Sequence, residues 1–331
     1  MVGASTSSLP PPGRPAVASG RRLVAKASLA ARFLPVWLAT GALLVVAEIL
    51  APNTLLSTSW SYILPLSTVL AIAALGQMLV VMHAGIDLST PAVISFGGNL
   101  IAGVGAGSDH RIPVAILAAL GVGVVVGLVN GVLVGLLRLN PLIVTLAVGQ
   151  IVLAWSSKYS RDVVTNQPNV PAGLASWATH KPLGISTVFW TGAALTIAVA
   201  LVLRYTPAGR RFQAVGANPR AAWMSGLHVR THVVLAYTAA GALYAIAAVV
   251  IAGASLAGGL ASATSTWIAA LALTLLTQML VVMGLSTAMQ YIVFGAAIIA
   301  GMVVSGDRLA AVLGRGVRPA KPSRQEAVSG A

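Results

Sequence analysis

The chain has 331 residues, of which 57% are hydrophobic and 8% charged, and its mean hydropathy is +0.91. A soluble domain carries about 25% charged and about 45–50% apolar residues, so a water-soluble bundle is excluded, and the alternating segments of a membrane β-barrel are missing. The formal net charge of +14 does not point to nucleic acid, because the basic residues gather in the two ends and one loop rather than along a helix with interleaved aromatics.

Residues 1–35 form a Pro/Ser/Gly-rich tail with Arg14, Arg21, Arg22, Lys26 and Arg32 and no acid, which keeps it in the cytoplasm by the positive-inside rule. The Arg21-Arg22 pair is not read as an export signal, since the apolar run after it leads into a whole membrane domain. That domain, residues 36–304, has apolar segments at 34–51, 62–83, 91–107, 112–137, 142–157, 185–203, 233–256, 264–283 and 288–304, each judged against the ~20 residues that cross a bilayer. The expected fold is all-α: a polytopic helical membrane protein of about nine to ten transmembrane or re-entrant helices. Glu48 is the only acid inside these segments, near the end of the first.

Six crossings return the chain to the cytoplasm at Arg204, and the loop 158–184, with Pro168, Pro171, Trp177 and Pro182, then lies outside as a landing surface for an external partner. Three crossings after His232 would carry the basic tail 305–331, with Arg308, Arg315, Arg318, Lys321 and Arg324, outside as well, against the charge rule. Residues 250–263, with Gly253, Gly258 and Gly259, and the glycine-rich 91–107 are therefore the expected broken or re-entrant elements. An internal repeat accompanies them. Gln77-Met-Leu-Val-Val-Met82 recurs as Gln278-Met-Leu-Val-Val-Met283, and Gly97-Gly-Asn-Leu-Ile-Ala-Gly103 is echoed by Gly295-Ala-Ala-Ile-Ile-Ala-Gly301.

Segment 112–137 carries Gly123, Gly127, Gly131 and Gly135 at four-residue spacing, one helical face on which a neighbour can approach closely. The loop 204–232 holds Arg204, Arg210, Arg211, Arg220 and Arg230 without an acid. Inside it, Asn218 is placed to cap a short helix that Pro219 opens, Arg220, Ala221, Ala222, Trp223, Met224 and Ser225 continue, and Gly226 stops.

The run Gly216-Ala-Asn-Pro-Arg-Ala-Ala-Trp-Met-Ser-Gly226 resembles the coupling loop, Gly-x-Asn-x-x-Ala-Ala-x-x-Ser-Gly, of permease subunits of bacterial ATP-binding cassette importers of the ribose, xylose and galactose class. His83-Ala-Gly-Ile-Asp-Leu-Ser89 resembles the same family's Gly-Gly-Ile-Asp-Leu-Ser signature, with Ala84 in place of the first Gly, and Asn140-Pro141-Leu-Ile-Val-Thr145 resembles its Pro-Phe-Ile-x-Thr element. The resemblance covers residues 36–307 and implies a multi-pass protein of the bacterial inner membrane. Its implied partners are cytoplasmic ATPase subunits, in a groove of which the coupling loop is expected to bury Ala221, Ala222 and Met224 with Arg220 at the polar rim, a second permease chain and an extracytoplasmic solute-binding protein. Asp87, Ser89, Asn130 and Thr145 are the polar points expected along the translocation path, although Asp87 can equally cap the helix after it and Asn130 can serve interhelical hydrogen bonding alone. One departure stands out: the run Ala247-Ala-Val-Val-Ile-Ala-Gly253 follows the coupling loop too closely, so the chain lacks about one membrane helix, ~20 residues.

No metal pair, nucleophile elbow or Cys supports catalysis, and without a phosphate-binding Gly-x-x-x-x-Gly-Lys-Ser/Thr loop the chain cannot hydrolyse ATP itself. No cofactor is expected in this chain, and ATP belongs to a partner subunit. His228 and His232 read as solvated residues rather than a metal pair. An ion-coupled secondary transporter or channel is the other reading, weakened by the scarcity of intramembrane carboxylates. A non-transporting membrane scaffold is the third, which the missing segment favours.

Overall fold

A computed structural model describes residues 37–164, 170–250 and 263–305, and every regular element among them is helical. The chain enters as α1 (Trp37–Leu50) and continues as α2 (Ser57–Val81), α3 (Thr90–Gly105), α4 (Ile112–Gly131) and α5 (Pro141–Tyr159). A short α6 (Ala172–Thr179) precedes α7 (Thr187–Tyr205). Two short helices, α8 (Pro207–Ala217) and α9 (Pro219–Met224), lead to α10 (Val229–Val250), α11 (Ala263–Val282) and α12 (Thr287–Ser305). Among the described residues, five stretches are long and apolar enough to cross a membrane: 57–81, 109–136, 141–164, 187–205 and 229–249. Four further apolar helices, Trp37–Leu50, Thr90–Gly105, Trp267–Val282 and Thr287–Ile299, are shorter.

The core is built around α2, whose Val69, Ile72, Leu75 and Met78 pack on Val93 of α3, Val126 of α4 and Tyr237 and Tyr244 of α10. The glycine face of α4 does what its spacing predicts. A Cβ at Gly123 or Gly127 would collide with the Gly241 and Tyr237 carbonyls of α10, and one at Gly131 would stand 2.8 Å from Val234 Cα. The two backbones therefore lie in direct contact, the arrangement small residues allow between helices.

Side-chain contacts define the two ends of the bundle. At one end, Lys181 Nζ donates to Ser61 Oγ at 2.9 Å and the Gly173 N–H donates to Asp109 Oδ1 at 2.7 Å, so the α1–α2, α3–α4 and α5–α7 connections share it. At the other, Phe212 of α8 meets His83 after α2, and Gly135 after α4 packs on Arg230 and Val233. The loop 158–184 and the basic loop 204–232 are thus at opposite ends.

Residues 91–107 are not broken. α3 runs without interruption from the end of the basic loop 204–232, where Ser89 lies against Gly149 of α5, to the far end, where Gly105 meets Pro171. Its glycines serve close approach instead, with Gly97 under Ala248 and Gly103 under the Tyr159 ring. The other expected irregular element, together with both tails, lies outside the described residues apart from its edges.

The two copies of the six-residue repeat each form the last turn of an apolar helix, α2 and α11. They point in opposite directions. α11 packs Ala270 on Leu70 and Ala71 near the middle of α2, then Met279 on Ala47 and Ala51 at the far end of α1. The last turn of α10 is also at that far end, where Val249 packs with Ile101 and Ala115.

Candidate functional site

The basic loop 204–232 folds as its local chemistry dictates. Thr206 opens α8 by accepting the Gly209 N–H at 3.0 Å, and Asn218 opens α9 by accepting the Ala221 N–H at 3.0 Å. Pro219 follows the cap, where its missing N–H leaves no donor unsatisfied. Gly226, with φ of +84°, ends the helix, its N–H donating to the Trp223 carbonyl at 2.9 Å and the Leu227 N–H to the Ala222 carbonyl at 3.0 Å.

The faces of α9 differ from the sequence expectation. Ala222, expected on the docking face, is 4% exposed and covered by its own chain, while Trp223 is 68% and Met224 80% exposed. Ala221 and Arg220 are exposed with them. The outward patch is therefore Ala221, Trp223 and Met224 with Arg220 beside it. A six-residue helix has too little periodicity to show in sequence which alanine turns inward. Gly216 serves the interior as well, for a Cβ there would run into the Met82 carbonyl at the end of α2.

Asp87, Ser89, Asn130 and Thr145 come together beneath this segment, in and around the α2–α3 turn. The Ser89 N–H and hydroxyl donate to Asp87 Oδ1 at 2.9 and 2.6 Å. Asn130 of α4 donates from Nδ2 to Ser89 Oγ at 2.9 Å, and Thr145 of α5 accepts the Leu88 N–H at 3.0 Å while donating to the Pro141 carbonyl at 2.8 Å. All four are 2% exposed or less. They form a sealed hydrogen-bonded cluster, and none lines the apolar groove of about 420 Å³ that Phe96, Val122, Val126, Val152 and Trp155 border between α3, α4 and α5.

Three further residues complete the cluster. Gln77 of α2, with its amide turned to suit its neighbours, donates to the Tyr244 hydroxyl at 3.0 Å and the Asp87 carbonyl at 3.2 Å and accepts the Asp87 N–H at 3.2 Å. The Tyr237 ring covers Gly85, where a Cβ would meet its hydroxyl. The tyrosines are detectable along the chain: Tyr237 and Tyr244 are seven residues apart on a helix otherwise rich in alanine, hence on one face. Asp87 Oδ2, Asn130 Oδ1 and the Tyr237 hydroxyl have no partner, and among the described residues no cation pairs with Asp87.

His83, also in the turn, stacks edge-on against Phe212 with ring centroids 4.2 Å apart. Burial lowers its pKa below the usual imidazole value, with the neighbouring charge of His232 acting in the same direction and the Leu79 carbonyl opposing. Ala84, which stands where the resembling signature has Gly, adopts a left-handed φ of +56°, a conformation that favours glycine.

Residues 59–255 match the family described as the branched-chain amino acid transport system permease component. The chain belongs to this family. It is a membrane permease component of a transport system, a class distinct from enzymes. It is 30% identical to the ribose import permease protein RbsC of Escherichia coli (strain K12), covering 88% of this chain and 98% of that one. It is also 32% identical to the galactofuranose transporter permease protein YtfT of Escherichia coli (strain K12), over 60% of this chain and 57% of the relative. The fructose import permease protein FrcC of Rhizobium meliloti is 31% identical over 54% and 51%. No solved structure matches. The alignment with the ribose permease runs over 317 positions but takes in 88% of the 331 residues here, about 290, so some two dozen positions are filled in the relative alone.

Proposed function

We propose that this chain is the membrane-spanning subunit of an ATP-driven, binding-protein-dependent importer for a monosaccharide or a similar small polar solute. The observation that carries the reading is α9. It is capped at both ends and anchored by Ala222, yet presents Trp223 and Met224 to the outside at the end of the bundle opposite the loop 158–184. Large apolar side chains held out on a rigid helix beyond the spans suit docking into a groove of another protein. A separate ATPase is the partner this implies, and the family of sugar permeases among the relatives supplies the substrate class.

In this reading two permease chains form the path in the bacterial inner membrane, with α9 in the cytoplasm and a solute-binding protein landing on residues 158–184. ATP shifts the pair between outward- and inward-facing states by favouring one over the other. The opposed copies of the repeat fit inverted halves, an arrangement that places the substrate site at their interface. With α11 ending at the outer end, a crossing by α12 would return the basic tail to the cytoplasm, as the charge rule requires.

The test is Met224→Asp. The substitution lies beyond the membrane spans and makes no demand on the core, so the protein should reach the membrane at its normal level. It should then fail to retain the ATPase on purification and fail to import. Retention and uptake at the unsubstituted level would remove the reading.

A further inference from the structure

The coupling segment touches the rest of the bundle in a restricted way. Two side-chain hydrogen bonds tie α8 to the end of α7, the helix it continues: Arg210 donates to the Tyr205 carbonyl at 2.9 Å and Gln213 to the Leu203 carbonyl at 2.5 Å. Phe212 and Gly216 are different. Four residues apart on one face of α8, both meet the α2–α3 turn, Phe212 through the His83 ring and Gly216 through the Met82 carbonyl.

That turn is itself fastened to three other helices. Ser89 accepts from Asn130 of α4, the Leu88 N–H donates to Thr145 of α5, and Gln77 binds both the Asp87 peptide and Tyr244 of α10. Hydrogen bonds fix direction and distance where apolar contacts allow sliding, so a turn tied in this way carries its neighbours when it is pushed. Further along, an apolar groove bordered by Val122 and Val126 of α4 and Val152 and Trp155 of α5 lies between the two helices.

We propose that Phe212 and Gly216 are positioning residues that pass the movement of the docking helix α9 to the α2–α3 turn, and through the Asp87 cluster to the inner ends of α4 and α5. The inference rests on the proposed ATPase docking. The Gly at position 216 is then required by contact within the chain, not by the partner.

The absence of native Cys allows a direct test. Leu139, 47% exposed in the α4–α5 turn, is replaced by Cys in the full chain, purified with whatever ATPase accompanies it, and its thiol labelling rate is measured with and without a non-hydrolysable ATP analogue. The analogue should change the rate severalfold. Phe212→Ala and Gly216→Ala should abolish that change while the ATPase stays bound and still hydrolyses ATP, a combination that a merely structural defect does not produce. Phe212→Leu, which keeps an apolar contact, should restore part of it. If Phe212→Ala fails to reach the membrane, His83→Ala removes the same contact from the other side and should give the same loss. A full response in these variants overturns the proposal, as does no response in the Leu139→Cys parent with ATPase bound. Failure of that parent to retain any ATPase sinks the functional reading, and this inference with it.

Discussion

Asn130 of α4 donates to Ser89 Oγ at 2.9 Å, and Ser89 in turn donates to Asp87, so a buried carboxylate in a turn is tied by one shared hydroxyl to an amide 41 residues beyond that hydroxyl. Removing the amide leaves that hydroxyl with one neighbour fewer in a place water does not reach. Asn130→Ala should lower stability by about 1–3 kcal/mol, the usual cost of an unmade buried hydrogen bond, read as a lower melting temperature of the purified protein. A melting temperature equal to that of the unsubstituted chain would show that the cluster contributes nothing to holding α4 in place.

Ala84 carries a strain that its position makes easy to relieve. For an L residue with a side chain, the left-handed region costs roughly 1–2 kcal/mol, and Gly loses somewhat more freedom on folding than Ala. Ala84→Gly should therefore raise stability by up to about 1 kcal/mol without altering the fold. A melting temperature lower than that of the parent would mean that the Ala84 methyl makes a contact worth more than the strain.

The His83 imidazole is held below its usual pKa of 6.5, chiefly by burial. Its neutral form is favoured in the fold, so the unfolded chain takes up a proton first as the pH falls. The stabilisation tied to neutral His83 is present above the ordinary imidazole value and is lost as the pH drops below it. Melting temperature should fall between about pH 7.5 and about pH 5.5, where imidazoles titrate, and His83→Gln should make that decline shallower. An unchanged decline would assign it to other groups.

Cysteine labelling tests the orientation. Ala175 and Arg211 are exposed at opposite ends of the bundle. A Cys at position 175 should react with a membrane-impermeant reagent on intact cells, and one at 211 only after the membrane is opened. The reverse pattern would invert the topology.

Much of this was legible because it is local. The Asn218 cap, the Pro219 start and the Gly226 stop lie within nine residues and follow from backbone hydrogen bonding alone, and the glycine face of α4 follows from one spacing. Asp87 and Ser89 are near neighbours in sequence, and family resemblance supplied Asn130 and Thr145. The pairing of Gln77 with Tyr244, however, joins residues 167 apart, and no pattern along the chain encodes which polar groups of an apolar bundle will meet. α3 shows the converse difficulty. Its glycines look like breaks when read along one strand of sequence, because the Ala248 and Tyr159 side chains that fill the space over them belong to other segments.

α4 and α10 touch backbone to backbone at Gly123, Gly127 and Gly131, with carbonyls seated where side chains would otherwise stand. Such a pair has no layer of side chains to repack, so neither sliding of one helix along the other nor rotation about its own axis is open to it. The two behave as one beam. Any change of shape during transport must then be taken up at the beam's margins, and the groove beside Phe96 and Trp155, between α4 and α5, is the margin with room to close.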